Sequence, residues 1–248
     1  MLGIARRPLV VAITAAAFAF SALPAQAFQM VTGTASVHNV DLTFWVNGVA
    51  VETFSGEQFG GLPFVLWLVP GENEVTVRGV ATGDEPGAEA DVTVADEGKI
   101  LDYQWSAAEP DASVTFDVSD TPEWVWLSAP AKPDAEDEVA DAVQAAHDAL
   151  TSGDAEAFRA IMGGQITDAA ALMGQEQVDA MADDIFTALS TNTKPLPELT
   201  IESYRGGQVY KVVGPSGRAA LEAETDDGGV TNFGTFFAFI DGRWRIIR

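Results

Sequence analysis

The chain has 248 residues, with 13 Lys or Arg against 37 Asp or Glu, a formal net charge of −24, and no cysteine. A surface this acidic excludes nucleic acid, whose binding needs a basic face to release counterions, and it is repelled by anionic lipid. The lack of cysteine excludes disulfides, thiolate chemistry and a lipidated N-terminal cysteine.

Residues 1–27 read as a cleavable signal peptide. Arg6 and Arg7 form a basic start, residues 9–20 are apolar, and Ala25-Gln26-Ala27 has the small-x-small pattern of a cleavage site. The apolar run falls short of the about 20 residues a membrane span needs. The mature chain is therefore expected to begin at Phe28, in the periplasm or outside the cell, with no membrane span after signal removal.

Residues 28–129 read as an all-β domain. Candidate strands fall at 30–37, 40–46, 49–54, 62–69, 74–80, 90–94, 100–105, 113–118 and 123–127. Turn signals recur between them: Asn47-Gly48, Gly60-Gly61, Pro70-Gly71, the run 83–87 and Asp120-Thr121-Pro122. Short, evenly spaced strands without a helical period imply an antiparallel β-sandwich. The stretches Phe44-Trp45-Val46-Asn47-Gly48-Val49 and Pro70-Gly71-Glu72-Asn73-Glu74-Val75 resemble segments of Ig-like and jelly-roll modules attached to bacterial glycosidases. That resemblance implies a sandwich and admits a carbohydrate-associated role. Trp124 and Trp126, two apart on one expected strand face, are the candidates for an exposed aromatic strip that stacks on sugar, or for a domain seam. The acidic groups at 84–85, 89–91 and 96–97 lack the calcium-loop pattern, and His38 and His147 are far apart, so no metal site is expected.

Composition changes at 128–133, where Pro130 and Pro133 make a short connector. Asp134 is the expected cap of a helix that begins with Glu136-Asp137-Glu138 and buries Val139, Val143, Ala146 and Leu150. Gly153 ends it, and Asp154 caps a second helix carrying Phe158, Ile161 and Met162. Gly163-Gly164 breaks the chain before a short helix at 166–173, and Val178, Met181, Ala182, Ile185 and Leu189 mark a fourth. Strands follow at 198–204, 208–213, 218–224, 230–240 and 243–247, with Asp241-Gly242 as a hairpin turn. In the penultimate run Phe233, Phe237 and Phe239 share one face and Phe236 and Ile240 the other, so cover on both faces is expected. In the last run Trp244 and Ile246 alternate with Arg243 and Arg245, as in a half-exposed strand.

Helices followed by an antiparallel meander imply an α+β domain over 134–248. The order of elements, Gly153-Asp154-Ala155-Glu156-Ala157-Phe158 and the closing Phe239-Ile240-Asp241-Gly242-Arg243-Trp244-Arg245-Ile246 are similar to the NTF2-like (SnoaL/ketosteroid-isomerase-like) superfamily. That resemblance implies helices closing a curved sheet into a conical pocket, with the far face of the sheet often supporting a homodimer. His147, Tyr204, Tyr210 and Asp168 are the pocket candidates, although capping would also account for Asp168. No paired acid and tyrosine of the enzyme members is found, so no catalytic role is carried over.

The charge is unevenly spread. Residues 28–193 hold 4 basic residues against 30 acidic, whereas Lys194, Arg205, Lys211, Arg218, Arg243, Arg245 and Arg248 balance 7 acids in the remainder. Solubility accounts for the acidity, but the balanced C-terminal sheet is also legible as a contact surface. The expected function is that of an exported, non-catalytic binding protein of the cell envelope that uses an NTF2-like pocket and a β-sandwich module. Its partner is a small molecule or an envelope protein, and no cofactor is implied. The alternatives are an isomerase, cyclase or hydrolase acting on a small apolar substrate, and a carbohydrate-associated module.

Overall fold

Alternation of apolar and polar residues builds most of the strands in the computed structural model, which describes residues 28–82, 87–96, 98–215, 217–225 and 228–248. The expected leader, the turn residues 83–86 and Glu97 lie outside the described residues. The chain is sheet-rich with four helices, and it divides into two compact units, one ending at Trp124 and the other spanning Val125–Arg248.

The first unit contains β1 (Thr32–His38), β2 (Val40–Val46), β3 (Val49–Phe54), β4 (Glu57–Pro63), β5 (Gly71–Ala81), β6 (Glu89–Ala95), β7 (Lys99–Trp105) and β8 (Asp111–Val118). They form two antiparallel four-stranded sheets, ordered β4-β1-β6-β7 and β3-β2-β5-β8. Ala35 and Val37 on β1, Leu42 and Phe44 on β2, Val75 and Val77 on β5 and Val92 and Val94 on β6 are buried, with polar neighbours between them facing out. Asn47 and Gly48 both have positive φ (51° and 81°), the geometry a two-residue hairpin requires. Asn73 shows why Pro70-Gly71-Glu72-Asn73 forms its turn. The buried amide donates to the carbonyls of Val69 and Gly71 and accepts the Val69 N–H, each at 2.8 Å.

The second unit carries α1 (Glu136–Ser152), α2 (Ala155–Ile161), α3 (Gly163–Met173) and α4 (Gln175–Ser190). These are followed by β9 (Thr200–Tyr204), β10 (Val209–Val213), β11 (Leu221–Glu224), β12 (Val230–Phe233), β13 (Phe236–Ile240) and β14 (Arg243–Ile246). One antiparallel sheet runs β14-β13-β10-β9, and β11 and β12 pair separately. The pairings Tyr210↔Phe237, Phe237↔Ile246 and Phe239↔Trp244 place these side chains on the face that packs with Val139, Val143, Leu150, Phe158 and Leu189 of the helices. Asp241 and Gly242, at φ 50° and 79°, turn the β13–β14 hairpin as expected. Among the described residues, no helix is long and apolar enough to cross a membrane.

Several expectations need correction. The run 230–240 is two strands in different sheets, because Gly234 takes φ 76° and turns the chain between them. Gly60-Gly61, read as a turn, lies inside the edge strand β4, which ends at Pro63, and the expected strand 62–69 is replaced beyond it by a 3-10 turn at Val65–Trp67. Residues 123–127 are not a strand: Val125–Ser128 is a 3-10 turn, and its period-two pattern of tryptophans is fortuitous. Asp134 does not cap α1. It sits at φ 58°, and the N-cap is Ala135, without a side-chain bond. Asp154 caps α2 as expected, accepting the Ala157 N–H at 2.9 Å. The third helix starts at Gly163, three residues earlier than expected, with Gly163-Gly164 in its first turn; the close approach of β14 leaves no room for a Cβ at Gly164, where one would lie 2.9 Å from the Ile246 carbonyl.

Candidate functional site

The four pocket candidates do not converge. Pairing of Tyr210 with Ser203 and of Val209 with Tyr204 sends the two tyrosines to opposite faces of the sheet. Only Tyr210 points toward the helices. Its ring is buried edge-on to Trp244 (centroids 5.3 Å apart), and its hydroxyl donates to the Lys132 carbonyl at 2.7 Å while accepting the Ala135 N–H at 3.1 Å. Both functions of the hydroxyl are thus spent on holding the start of α1. Tyr210→Phe is expected to cost about 1–3 kcal/mol, because it strands a buried N–H; chemical denaturation measures it.

Tyr204 donates to Glu202 on the other face. Burial, then the Glu202 hydrogen bond, pushes its phenol well above the ordinary range. An acid whose folded pKa is raised contributes stability that is fully present below its unfolded value, here about 10, and lost as pH rises above it. Denaturation between pH 8 and 11 should therefore show an alkaline loss of stability that is smaller in Tyr204→Phe.

His147 on α1 hydrogen-bonds through Nε2 to the Lys194 carbonyl at 3.0 Å, and its Nδ1 lies 3.8 Å from Asp148. The imidazole therefore anchors the segment between α4 and β9. Asp168 is neither a cap nor a pocket acid. It is 1% exposed within α3, pairs with Arg248 at 2.7 Å and accepts the Val125 N–H at 2.8 Å. Burial raises its pKa, opposed by the Arg248 charge and these hydrogen bonds. Arg248, its missing partner, carried no sequence signal beyond its charge.

The space between helices and sheet is occupied. Val139, Val143, Phe158, Met162, Tyr210, Phe237, Trp244 and Ile246 pack into one apolar core there. The polar group at its rim is Glu138, which accepts from the Trp244 indole at 2.9 Å and from Lys132 at 3.0 Å. The indole bond, then Lys132, holds its carboxyl below the usual range. Lys132 lies 3.8 Å from the Phe239 ring centroid, so the aromatic edge of the core is closed by a cation and its counter-ion.

The aromatic strip is overturned. Trp124 is 2% exposed and donates to the Leu68 carbonyl at 2.8 Å; Trp126 is 0% exposed beneath the Arg205 guanidinium. Neither is available to stack on a sugar. The turn bearing Trp126 packs on β13, the strand that carries Phe236 and Ala238, from within its own unit. Residues 127–132 are held by the β9–β10 turn: Gln208 donates to the carbonyls of Leu127 and Ala129, and Lys132 N–H donates to the Gly207 carbonyl.

Among the described residues no group of three or more His, Asp or Glu is arranged to hold a metal ion. No family model matches the chain, and no curated protein or solved structure compared with it matches.

Proposed function

We propose that this chain is an exported binding protein of the cell envelope, built from a β-sandwich and an NTF2-like α+β domain, that holds a small molecule or another envelope protein without transforming it. The observation that carries the non-catalytic part of this reading is the occupied helix–sheet interior, which leaves the surface of the unit for binding. Where the superfamily's enzymes keep an open cone, this unit has Phe158, Tyr210, Phe237 and Trp244 in contact with one core. The sandwich reading is supported by two four-stranded sheets that each bury one face. A homodimer through the far sheet face has less to recommend it, since the Trp126 turn already packs on β13.

The test has two arms. Expressed in a bacterium, the full-length chain should be recovered from the periplasm or medium with Phe28 as its first residue. The purified protein should show no saturable uptake of a small apolar dye into the second unit. A cytoplasmic, unprocessed product would sink the export reading, and stoichiometric dye uptake quenched by Trp244 would sink the closed interior.

A further inference from the structure

Between α2, α3 and β14 the second unit has an open depression of about 390 Å³. In a chain of net charge −24, three arginines line it (Arg159, Arg243 and Arg245) against one carboxylate, Glu156. The arginines differ in what already occupies them. Arg159 is held by Asp179 and Asp183 of α4, so it serves as a neutralised wall. Arg245 is bound to Asp241 through Nη2 at 3.1 Å, while its Nε is shielded from solvent without a hydrogen-bond partner. Its guanidinium lies across Gly163, where a Cβ would come within 2.6 Å of Nη1, so the glycine is what lets the arginine lie down. Arg243 is exposed, and its guanidinium has no ion pair or hydrogen bond among the described residues. Ala160, Gly163 and Ile166 give the floor an apolar patch.

We propose that this depression binds a small organic oxyanion, a phosphate ester or a polycarboxylate, with Arg243 and Arg245 as the clamp on its charged end and the Ala160–Ile166 floor under its carbon skeleton. The guanidinium fork matches carboxylate and phosphate oxygens in pairs, which an ammonium does not. Strand geometry supplies the clamp: residues two apart on β14 point to the same side, so Arg243 and Arg245 face the depression while Trp244 faces the core. The proposal is independent of export and of the superfamily resemblance.

Titrating the full-length chain at fixed ionic strength with inorganic phosphate and, separately, citrate tests it, read by calorimetry. Saturable one-site binding is expected for at least one of them, and which one binds more tightly tells ester from carboxylate. Arg243→Gln should weaken binding by about tenfold or more, and Arg243→Lys should recover only part of the loss. Glu156→Gln should tighten it by about two- to fivefold by removing the opposing charge. Arg78→Gln, on β5 over the Trp45 ring, should change nothing. Unsaturable responses to both anions, an equal loss in Arg78→Gln, or no gain in Glu156→Gln would each overturn the site.

Discussion

Replacing Arg248 with Met is expected to destabilise the protein by about 3–5 kcal/mol, because it leaves Asp168 ionised and uncompensated in the interior. The pair is shielded, with side-chain exposures of 8% and 1%. The loss should shrink as pH falls. Burial raises the Asp168 pKa and the Arg248 charge opposes that rise, so removing the arginine raises it further. An acid with a raised folded pKa contributes full stability below its unfolded value, about 3.9, and loses it as pH climbs through the folded one. The difference between Arg248→Met and the parent should thus be largest near neutrality and smaller at pH 5. The double variant Asp168→Asn/Arg248→Met should recover at least half of the loss, since Asn keeps an acceptor for the Val125 N–H and no charge remains to be buried. Equilibrium denaturation at the two pH values measures both; a pH-independent loss, or a double variant as unstable as the single one, would contradict the pairing.

How far the fold was legible depended on whether a signal was local. The stripe Val139, Val143, Ala146 and Leu150 repeats at helical spacing, and all four side chains are buried on α1. Asp241-Gly242 dictates its own turn, and the alternation in Arg243-Trp244-Arg245-Ile246 appears as exposed, buried, half-buried and buried residues. These are decided within a few residues of chain. Failures came where a distant neighbour decides. Gly234 looks like any residue in a strand until Ile246 and Leu221 crowd its position, with a Cβ there 3.1 Å from the former.

The same holds for the candidate site. Which face Tyr204 and Tyr210 present could be deduced only from the β9–β10 register, which sets Tyr204 opposite Val209. Asp168 near a helix start has the sequence appearance of a cap, yet its partners lie 43 and 80 positions away. The arginines of β14 were visible as a polar face. What they face was not, because α2 and α3 reach them only through the tertiary fold.

Trp126 offers the sharpest separation between sequence appearance and structural role. Two tryptophans spaced two apart suggest an exposed strip, whereas Trp126 is 0% exposed on a 3-10 turn packed on β13, under Arg205. Trp126→Ala is therefore expected to cost about 3–5 kcal/mol, the range for truncating a buried aromatic. It should also uncover apolar surface beside Phe236 and Ala238, both at most 5% exposed in the intact chain. An uncovered apolar sheet face seeks another partner. The variant should therefore show concentration-dependent association by sedimentation where the parent shows less, and Trp126→Phe should suppress both effects in part. A loss below about 1 kcal/mol would mean that the tryptophan is not what seals this face. Cover for β13 would then have to come from elsewhere, and a second copy of the chain would regain its claim.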